Sequence, residues 1–329
     1  MSAHSHGEGH DHHGHDHHGH DHHGHDHHGH GHHGHDHTPK SFGTAFAVGT
    51  ALNLVLVIAQ VTYGLAANSV ALLADAAHNF GDVLALLLAW GAAWLGQQSP
   101  SARRTYGWGR SSILAALINA VVLLVGAGAI AVEALHRLQD PGPVGGMTVI
   151  VVGIAGIFIN GITAYLFSRG HDDLNIRAAF LHMASDAAVS LGVVVAAGGI
   201  LLTGWLWLDA VASLLIVAVI ILGTWGTLRD AINLTMDGVP PRIAHRDVAA
   251  YLAGLPDVIE VHDLHIWGLS TMQIALTAHL VRAETGNDQA MIRAAVLGLK
   301  QKFAIDHATL QVETAASAEI CALRPAHVV

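Results

Sequence analysis

The sequence predicts a polytopic α-helical membrane protein, six transmembrane helices followed by a small cytoplasmic α+β domain. Three observations predict it. The 329 residues are 52% hydrophobic and only 12% charged, where soluble chains carry about a quarter charged residues. The apolar residues gather into runs near 42–66, 70–95, 111–135, 145–167, 176–203 and 206–228, each close to the roughly 20 residues that cross a bilayer. After Asp237 the long runs stop and shorter helical and alternating patterns replace them. The expected organisation is a tail over 1–39, a membrane domain over 40–237 and a soluble domain over 238–329.

The tail comes first. "DHHGH" repeats four times in register from Asp11, then once as "GHHGH", and nineteen of the 29 histidines precede Thr38. With Gly in every unit and almost no apolar residue, the segment cannot repay the entropy of folding and is expected to be disordered. Its imidazoles (His12, His13, His15, His17, His18, His20, His22, His23, His25, His27, His28, His30) lie among carboxylates and make a loose, unselective ligand for Zn²⁺, Ni²⁺ or Cu²⁺. An inert solvating tail is the plainer reading. The polar N-terminus lacks the basic region and short apolar core of a signal peptide.

Six of the acids behind the net charge of −10 also lie in the first 37 residues. The remainder carries too little charge to imply a charged partner, and no basic face points to nucleic acid. The single Cys321 cannot form an internal disulfide.

The six runs are punctuated by "AANS", "QQSPSARRTYGWGR", "HRLQDPGPVGG", "SRGHDD" and "GW". Arg103, Arg104 and Arg110 fall in the second connection, Arg169 and Arg177 around the fourth, and Arg229 past the sixth run. The first and fifth connections have no Lys or Arg, and the third has Arg137 alone. The positive-inside rule therefore places the even connections and both termini in the cytoplasm.

Beyond "VPPR" (239–242), "HRDVAAYLAGL" reads as a short helix, "DVIEVHDLHIWGLS" and "TMQIALTAHLVRA" as strands, "NDQAMIRAAVLGLKQKF" as a helix and "HATLQVET" as a third strand. This αββαβ order implies a sheet covered by helices on one side. Simple alternation would put His262 on a face with Leu264 and Ile266, and His265 on the other.

Within the membrane region "LADAAHNFGD" sets Asp75, His78 and Asp82 in an otherwise apolar run. An acid at the centre of a spanning helix costs roughly 2.5–3.5 kcal/mol on insertion scales, so its presence asks for a function. His78 and Asp82 are four residues apart and share a helix face. His182 and Asp186, in "LHMASDAAVSL", repeat that spacing in the fifth run. Brought together, the two pairs offer two imidazole nitrogens and two carboxylate oxygens. That set suits tetrahedral Zn²⁺, with Co²⁺ or Cd²⁺ as lesser candidates. A single buried His or Asp could merely hydrogen-bond a neighbouring helix, whereas two matching pairs are hard to explain so. Asp75 could orient His78 from behind or act as a cap or water-facing acid. Asp209 reads as structural, and Asn53, Asn119 and Asn160 as interhelical hydrogen-bonding residues.

"NSVALLADAAHNFGDVLALLLAW", "TYGWGRSSILAALIN", "LHMASDAAVSLGVV" and "VHDLHIWGLS" together resemble the cation diffusion facilitator family of zinc-efflux type, over about 42–315. The resemblance implies a homodimeric Zn²⁺/H⁺ antiporter with six spans and a cytoplasmic metal-binding domain of ferredoxin-like fold. By position it makes His78, Asp82, His182 and Asp186 the transport site, and His245, His262, His279 and Glu313 a cytoplasmic metal site. Asp263, His265, His307 and Cys321 are weaker candidates. Surface histidines without a ligand role are the plain alternative there. Two features depart from the family: Gln60 and Ser112 stand where relatives often have Glu, and the second connection lacks His, Asp and Glu.

The expected function is efflux of Zn²⁺, or of Co²⁺ or Cd²⁺, by proton-coupled alternating access. Zn²⁺ would be substrate and regulatory ligand, with no organic cofactor. Protons, a second copy of the chain and the lipid bilayer are the expected partners, in a bacterial inner membrane. A membrane-anchored metal sensor or store is the alternative. An intramembrane zinc hydrolase is disfavoured because H-E-x-x-H is absent.

Overall fold

The computed structural model describes residues 44–167, 174–283 and 288–324. The tail histidines His12 to His30 lie outside the described residues. Six long helices come first: α1 (Thr44–Ala66), α2 (Val70–Gly96), α3 (Ser111–Gln139), α4 (Gly146–Phe167), α5 (Leu174–Thr203) and α6 (Trp207–Thr235). Five of them are long and apolar enough to cross a membrane, α2, α3 and α6 throughout, α4 over Gly146–Tyr165 and α5 over Leu181–Thr203. α1 adds 23 helical residues, about 34 Å at 1.5 Å per residue.

α2 is the hub of the bundle, packing against α1, α3, α5 and α6, while α4 pairs closely with α5 and α3 with α6. The interior is lined by small and branched side chains: Ala71, Leu72, Ala74, Ala127, Val149, Val152, Val193, Ala197, Ile216, Val217 and Ile220. Alanines at these contacts let helix backbones approach closely, which is how packing is gained where lipid is as apolar as leucine. The outward faces carry exposed Val125, Val195, Leu202, Leu215 and Leu222. Trp205 and Trp207 stack at the α5–α6 corner with centroids 5.8 Å apart, amphipathic rings suited to a membrane interface.

The α1–α2 turn is fixed by two residues from other helices. Asn68 adopts a positive φ of 55°, which asparagine tolerates better than most residues. Arg137 of α3 donates to its carbonyl (2.7 Å) and its side-chain oxygen (2.5 Å). Ser69 caps α2, its Oγ accepting from the Leu72 amide (3.1 Å). The same Oγ donates to Asp209 Oδ1 (2.5 Å), and Asp209 Oδ2 accepts from the Val70 amide (2.7 Å) and, more weakly, the Ala71 amide (3.3 Å). An α6 carboxylate thus satisfies the orphan donors that begin α2 and sits at the positive end of its dipole.

The C-terminal domain has the expected order: α7 (His245–Ala253), β1 (Val258–Gly268), β2 (Ile274–Arg282), α8 (Asp288–Phe303) and β3 (His307–Thr314), plus a short unanticipated helix, α9 (Ala315–Glu319). The sheet order is β1-β2-β3, with β1–β2 antiparallel and β2–β3 parallel across the α8 connection. Leu276, Ala278 and Leu280 of β2 and Ala308, Leu310 and Val312 of β3 form an apolar face packed against Val248 and Leu252 of α7 and Met291 and Leu299 of α8. The intervening residues, His279, Gln311 and Glu313 among them, occupy the opposite face.

Simple alternation fails in β1. Four β1 residues, His262 to His265, oppose only three on β2, His279 to Thr277, and Asp263 takes a positive φ of 50°. This one-residue bulge reverses the expected facing. His262 and His265 share the polar face of the sheet, and Ile266, opposite Leu276, joins the apolar one.

The domain adjoins the bundle through the second connection. Arg110 pairs with Asp237 beyond α6, and the Thr271 amide donates to Ser112 Oγ at the start of α3 (3.1 Å). A Cβ on Gly109 would stand 2.7 Å from the Leu269 carbonyl oxygen, so only glycine fits there.

Asp209→Ala should destabilise the bundle by about 1–3 kcal/mol, because it leaves Ser69 and the α2 amides unpaired in a buried place. Asp209→Asn, which retains an acceptor oxygen, should lose less. Thermal unfolding in detergent reads both.

Candidate metal centre

α2 carries His78 and Asp82 one turn apart, and α5 carries His182 and Asp186 in the same arrangement. Where the helices meet, the partners cross. His78 Nε2 lies 3.1 Å from Asp186 Oδ1 and His182 Nε2 lies 3.1 Å from Asp82 Oδ1, with Asp186 Oδ2 a further 3.8 Å from His182 Nε2. Donor atoms of His78, Asp82 and Asp186 fall within 4.8 Å of one another. Each imidazole therefore reaches a carboxylate of the other helix. The i, i+4 spacing aligns each pair, and a local approach of α2 to α5 brings the pairs face to face.

Exposure across the cluster is uneven. The Asp186 side chain is 1% exposed and that of His182 47%. Asp82 Oδ2 and Asp186 Oδ2 are buried and have no hydrogen-bond partner among the described residues. Unpaired carboxylate oxygens in an apolar bundle are costly, and a divalent cation placed among these donors would neutralise both. His182 is the most exposed member of the cluster.

A second polar layer lies one turn away. Asp75 is fully buried and accepts from Gln60 Nε2 (2.5 Å) and Ser190 Oγ (3.0 Å), while Asn79 Nδ2 donates to Gln60 Oε1 (3.0 Å). Asp75 makes no hydrogen bond to His78 among the described residues, contrary to the orienting role considered from sequence. Side chains from α1 and α5 hold its carboxylate instead. Ser190 is pressed into place by α4, where a Cβ on Gly156 would come within 2.9 Å of its Oγ. Gln60, Asn79 and Ser190 were not singled out for this layer; their signal was polarity in runs otherwise apolar.

A second cluster lies on the polar face of the C-terminal sheet. Donor atoms of His262, His279, Glu313 and Cys321 lie within 4.8 Å of one another. His279 Nδ1 is 2.9 Å from Glu313 Oε1, and His262 Nε2 is 3.5 Å from Glu313 Oε2. His245 stands outside this group. It begins α7, which packs on the apolar face, and its Nε2 lies 3.4 Å from the Leu264 carbonyl oxygen. Cys321, one of the weaker candidates from sequence, is the fourth member of the group. At the rim, Arg324 grips Glu260 with two hydrogen bonds (3.0 and 2.8 Å) and holds its carboxyl below the usual range.

Two family profiles match the chain: the cation efflux transmembrane domain over residues 46–234 and the cation efflux protein cytoplasmic domain over 240–315. The chain is 34% identical over 270 residues to the cation efflux system protein CzcD of Alcaligenes sp. (strain CT14), covering 82% of this chain and 85% of that protein. It is 32% identical over 271 residues to the zinc transporter ZitB of Escherichia coli (strain K12), covering 82% and 86%. It is also 32% identical over 265 residues to the cadmium, cobalt and zinc/H(+)-K(+) antiporter of Bacillus subtilis (strain 168), covering 79% and 85%. These relatives are named as transporters and efflux proteins, so the hydrolase reading falls away. The chain belongs to the cation efflux, or cation diffusion facilitator, family and is an integral membrane protein that exports metal cations.

Proposed function

We propose that the chain exports Zn²⁺ in exchange for protons by alternating access, with His78, Asp82, His182 and Asp186 holding the ion in transit. The observation that carries this reading is the crossed pairing of imidazole and carboxylate between α2 and α5. Two nitrogen and two oxygen donors match the tetrahedral preference of Zn²⁺. Co²⁺ and Cd²⁺ are secondary cargoes on the same donors. All four ligands exchange readily, and a site that must release its ion on every cycle requires that.

Proton coupling follows from the ligands. Metal binding needs neutral imidazole and ionised carboxylate, so protons arriving from the far side compete for the same atoms and displace the ion. The paired groups then hold protons while the bundle returns. Asp75, Gln60 and Ser190 form a hydrogen-bonded floor beneath the site without taking up a ligand position.

The positive-inside distribution of Arg103, Arg104 and Arg110 supports cytoplasmic termini in a bacterial inner membrane. The match to the cation efflux cytoplasmic domain supports a homodimer, with the C-terminal domains binding metal through His262, His279 and Glu313 and biasing the transporter's conformation. The His-rich tail serves as a loose, unselective metal ligand.

Asp82→Ala should abolish Zn²⁺ flux into proteoliposomes while leaving the fold intact by circular dichroism. A sensor or store would give no flux in the parent protein to lose. With intact protein, Zn²⁺ transport should run with an opposed, metal-linked proton flux and should speed up when a pH gradient drives protons the other way. Equal rates with and without the gradient would remove the antiport component.

A further inference from the structure

We propose that Cys321 is the fourth ligand of the C-terminal metal site, giving a His262–His279–Glu313–Cys321 centre within one protomer that favours thiophilic ions, Zn²⁺ and Cd²⁺. The proposal deepens the metal reading of the C-terminal domain and is independent of the transport site.

Cys321 is the only cysteine in the chain, and its Sγ lies 3.7 Å from His279 Nδ1. Neighbouring nitrogen and sulfur ligands of a tetrahedral zinc stand roughly 3.5 Å apart, so this pair is already at ligand spacing. The rest of the donor set shows unmet demand. The side chains of His262 and Glu313 are each 5% exposed, yet neither His262 ring nitrogen nor Glu313 Oε2 forms a hydrogen bond among the described residues. Buried polar atoms normally have partners, and His262 Nε2 and Glu313 Oε2 face each other at 3.5 Å in the group that includes Cys321. The donor atoms, within 4.8 Å of one another, need to close by only about 1 Å to bind an ion.

The surrounding shell is arranged for ligation. Asp263 Oδ2 is 3.5 Å from His279 Nε2, so a carboxylate backs the imidazole and turns Nδ1 toward Glu313 and Cys321. Glu260 Oε1 stands in the same relation to His262 Nδ1, also at 3.5 Å. Carboxylates behind metal-bound histidines fix the tautomer and strengthen the ligand. The bulge at Asp263 is what lets one strand present His262 and, one residue later, the carboxylate behind its neighbour.

The segment carrying Cys321 is also held in place. A capping box of Thr314 and Ser317 starts α9 at the end of β3, and Ala318 is fully buried. The Cys321 amide donates to the Ala318 carbonyl (3.2 Å). Arg324, three residues on, returns the chain to Glu260. The hook therefore runs from one ligand, Glu313, to another, Cys321, and is pinned beyond it to the carboxylate behind a third, His262. An ion at this centre would tie the hook to the sheet.

The test uses the full-length protein in detergent, titrated with Co²⁺. Neither the His-rich tail nor the transport site contains a thiol, so a thiolate-to-Co²⁺ charge-transfer band can arise only at Cys321. The expected result is a saturable band whose final intensity corresponds to one thiolate-bound Co²⁺ per protomer and which Zn²⁺ or Cd²⁺ discharges. Cys321→Ser should abolish it, and Asp82→Ala should leave it unchanged. His279→Ala keeps the thiol and should weaken the binding read by the band at least tenfold, and Asp263→Asn should weaken it about ten- to a hundredfold. Alkylation of Cys321 by iodoacetamide should be slowed by Zn²⁺ in the parent protein and not in His279→Ala. No band under excess Co²⁺, or a band indifferent to His279→Ala, would overturn the proposal. Either result would leave the transport reading, judged by flux, standing.

Discussion

The structure turns on two carboxylates in an apolar bundle, the partly exposed Asp82 and the buried Asp186, each with one buried oxygen that accepts no hydrogen bond among the described residues. Charge in that setting is costly unless opposite charge meets it. The crossed imidazoles meet half of the demand and leave room for a divalent ion to meet the rest. Other features of the bundle can be read as ways of keeping that arrangement in register. Alanines on α2 allow close helix contact, Asp209 caps the start of α2, and Arg137 fastens the preceding turn. The Asp75–Gln60–Ser190 layer fixes α1, α2 and α5 together one turn away.

The two metal clusters differ in ways that fit different duties. The membrane set is nitrogen and oxygen only, and one of its members, His182, is half exposed. Such an arrangement suits the loading and emptying that the proposed transport requires. The C-terminal set is more enclosed, has carboxylates behind both histidines and includes a sulfur atom. Soft thiolate donors favour Zn²⁺ and Cd²⁺ and hold them more firmly than oxygen does, which suits a centre that reads metal level. Ser112 and Gly109 contact the domain where it meets α3.

Much of this was legible in the sequence. Long apolar runs are read directly from composition, and the H-x-x-x-D pairs announce a shared helix face because the spacing equals one turn. The αββαβ order followed from a change of period after Asp237. What escaped were features set by tertiary contact. The bulge at Asp263 reverses the facing of His262 and His265, and no local pattern signals a single residue of slippage. His245 looked like a ligand by position in the family, but α7 packs on the apolar face and carries it away. Cys321 enters the cluster only because α9 folds back, and five helical residues leave little trace in sequence. Asp75 finds its partners on α1 and α5, beyond the reach of spacing along α2.

The most direct measurement of the central claim replaces one ligand on each transport helix by a thiol. With Cys321→Ser as background, His78→Cys and Asp186→Cys are made singly and together, and Cd²⁺ binding is followed by its thiolate charge-transfer band. If α2 and α5 grip one ion between them, the double variant binds Cd²⁺ through both sulfurs, with an affinity well above either single variant. A double variant whose binding is only the sum of two independent, weak thiol sites would contradict the account.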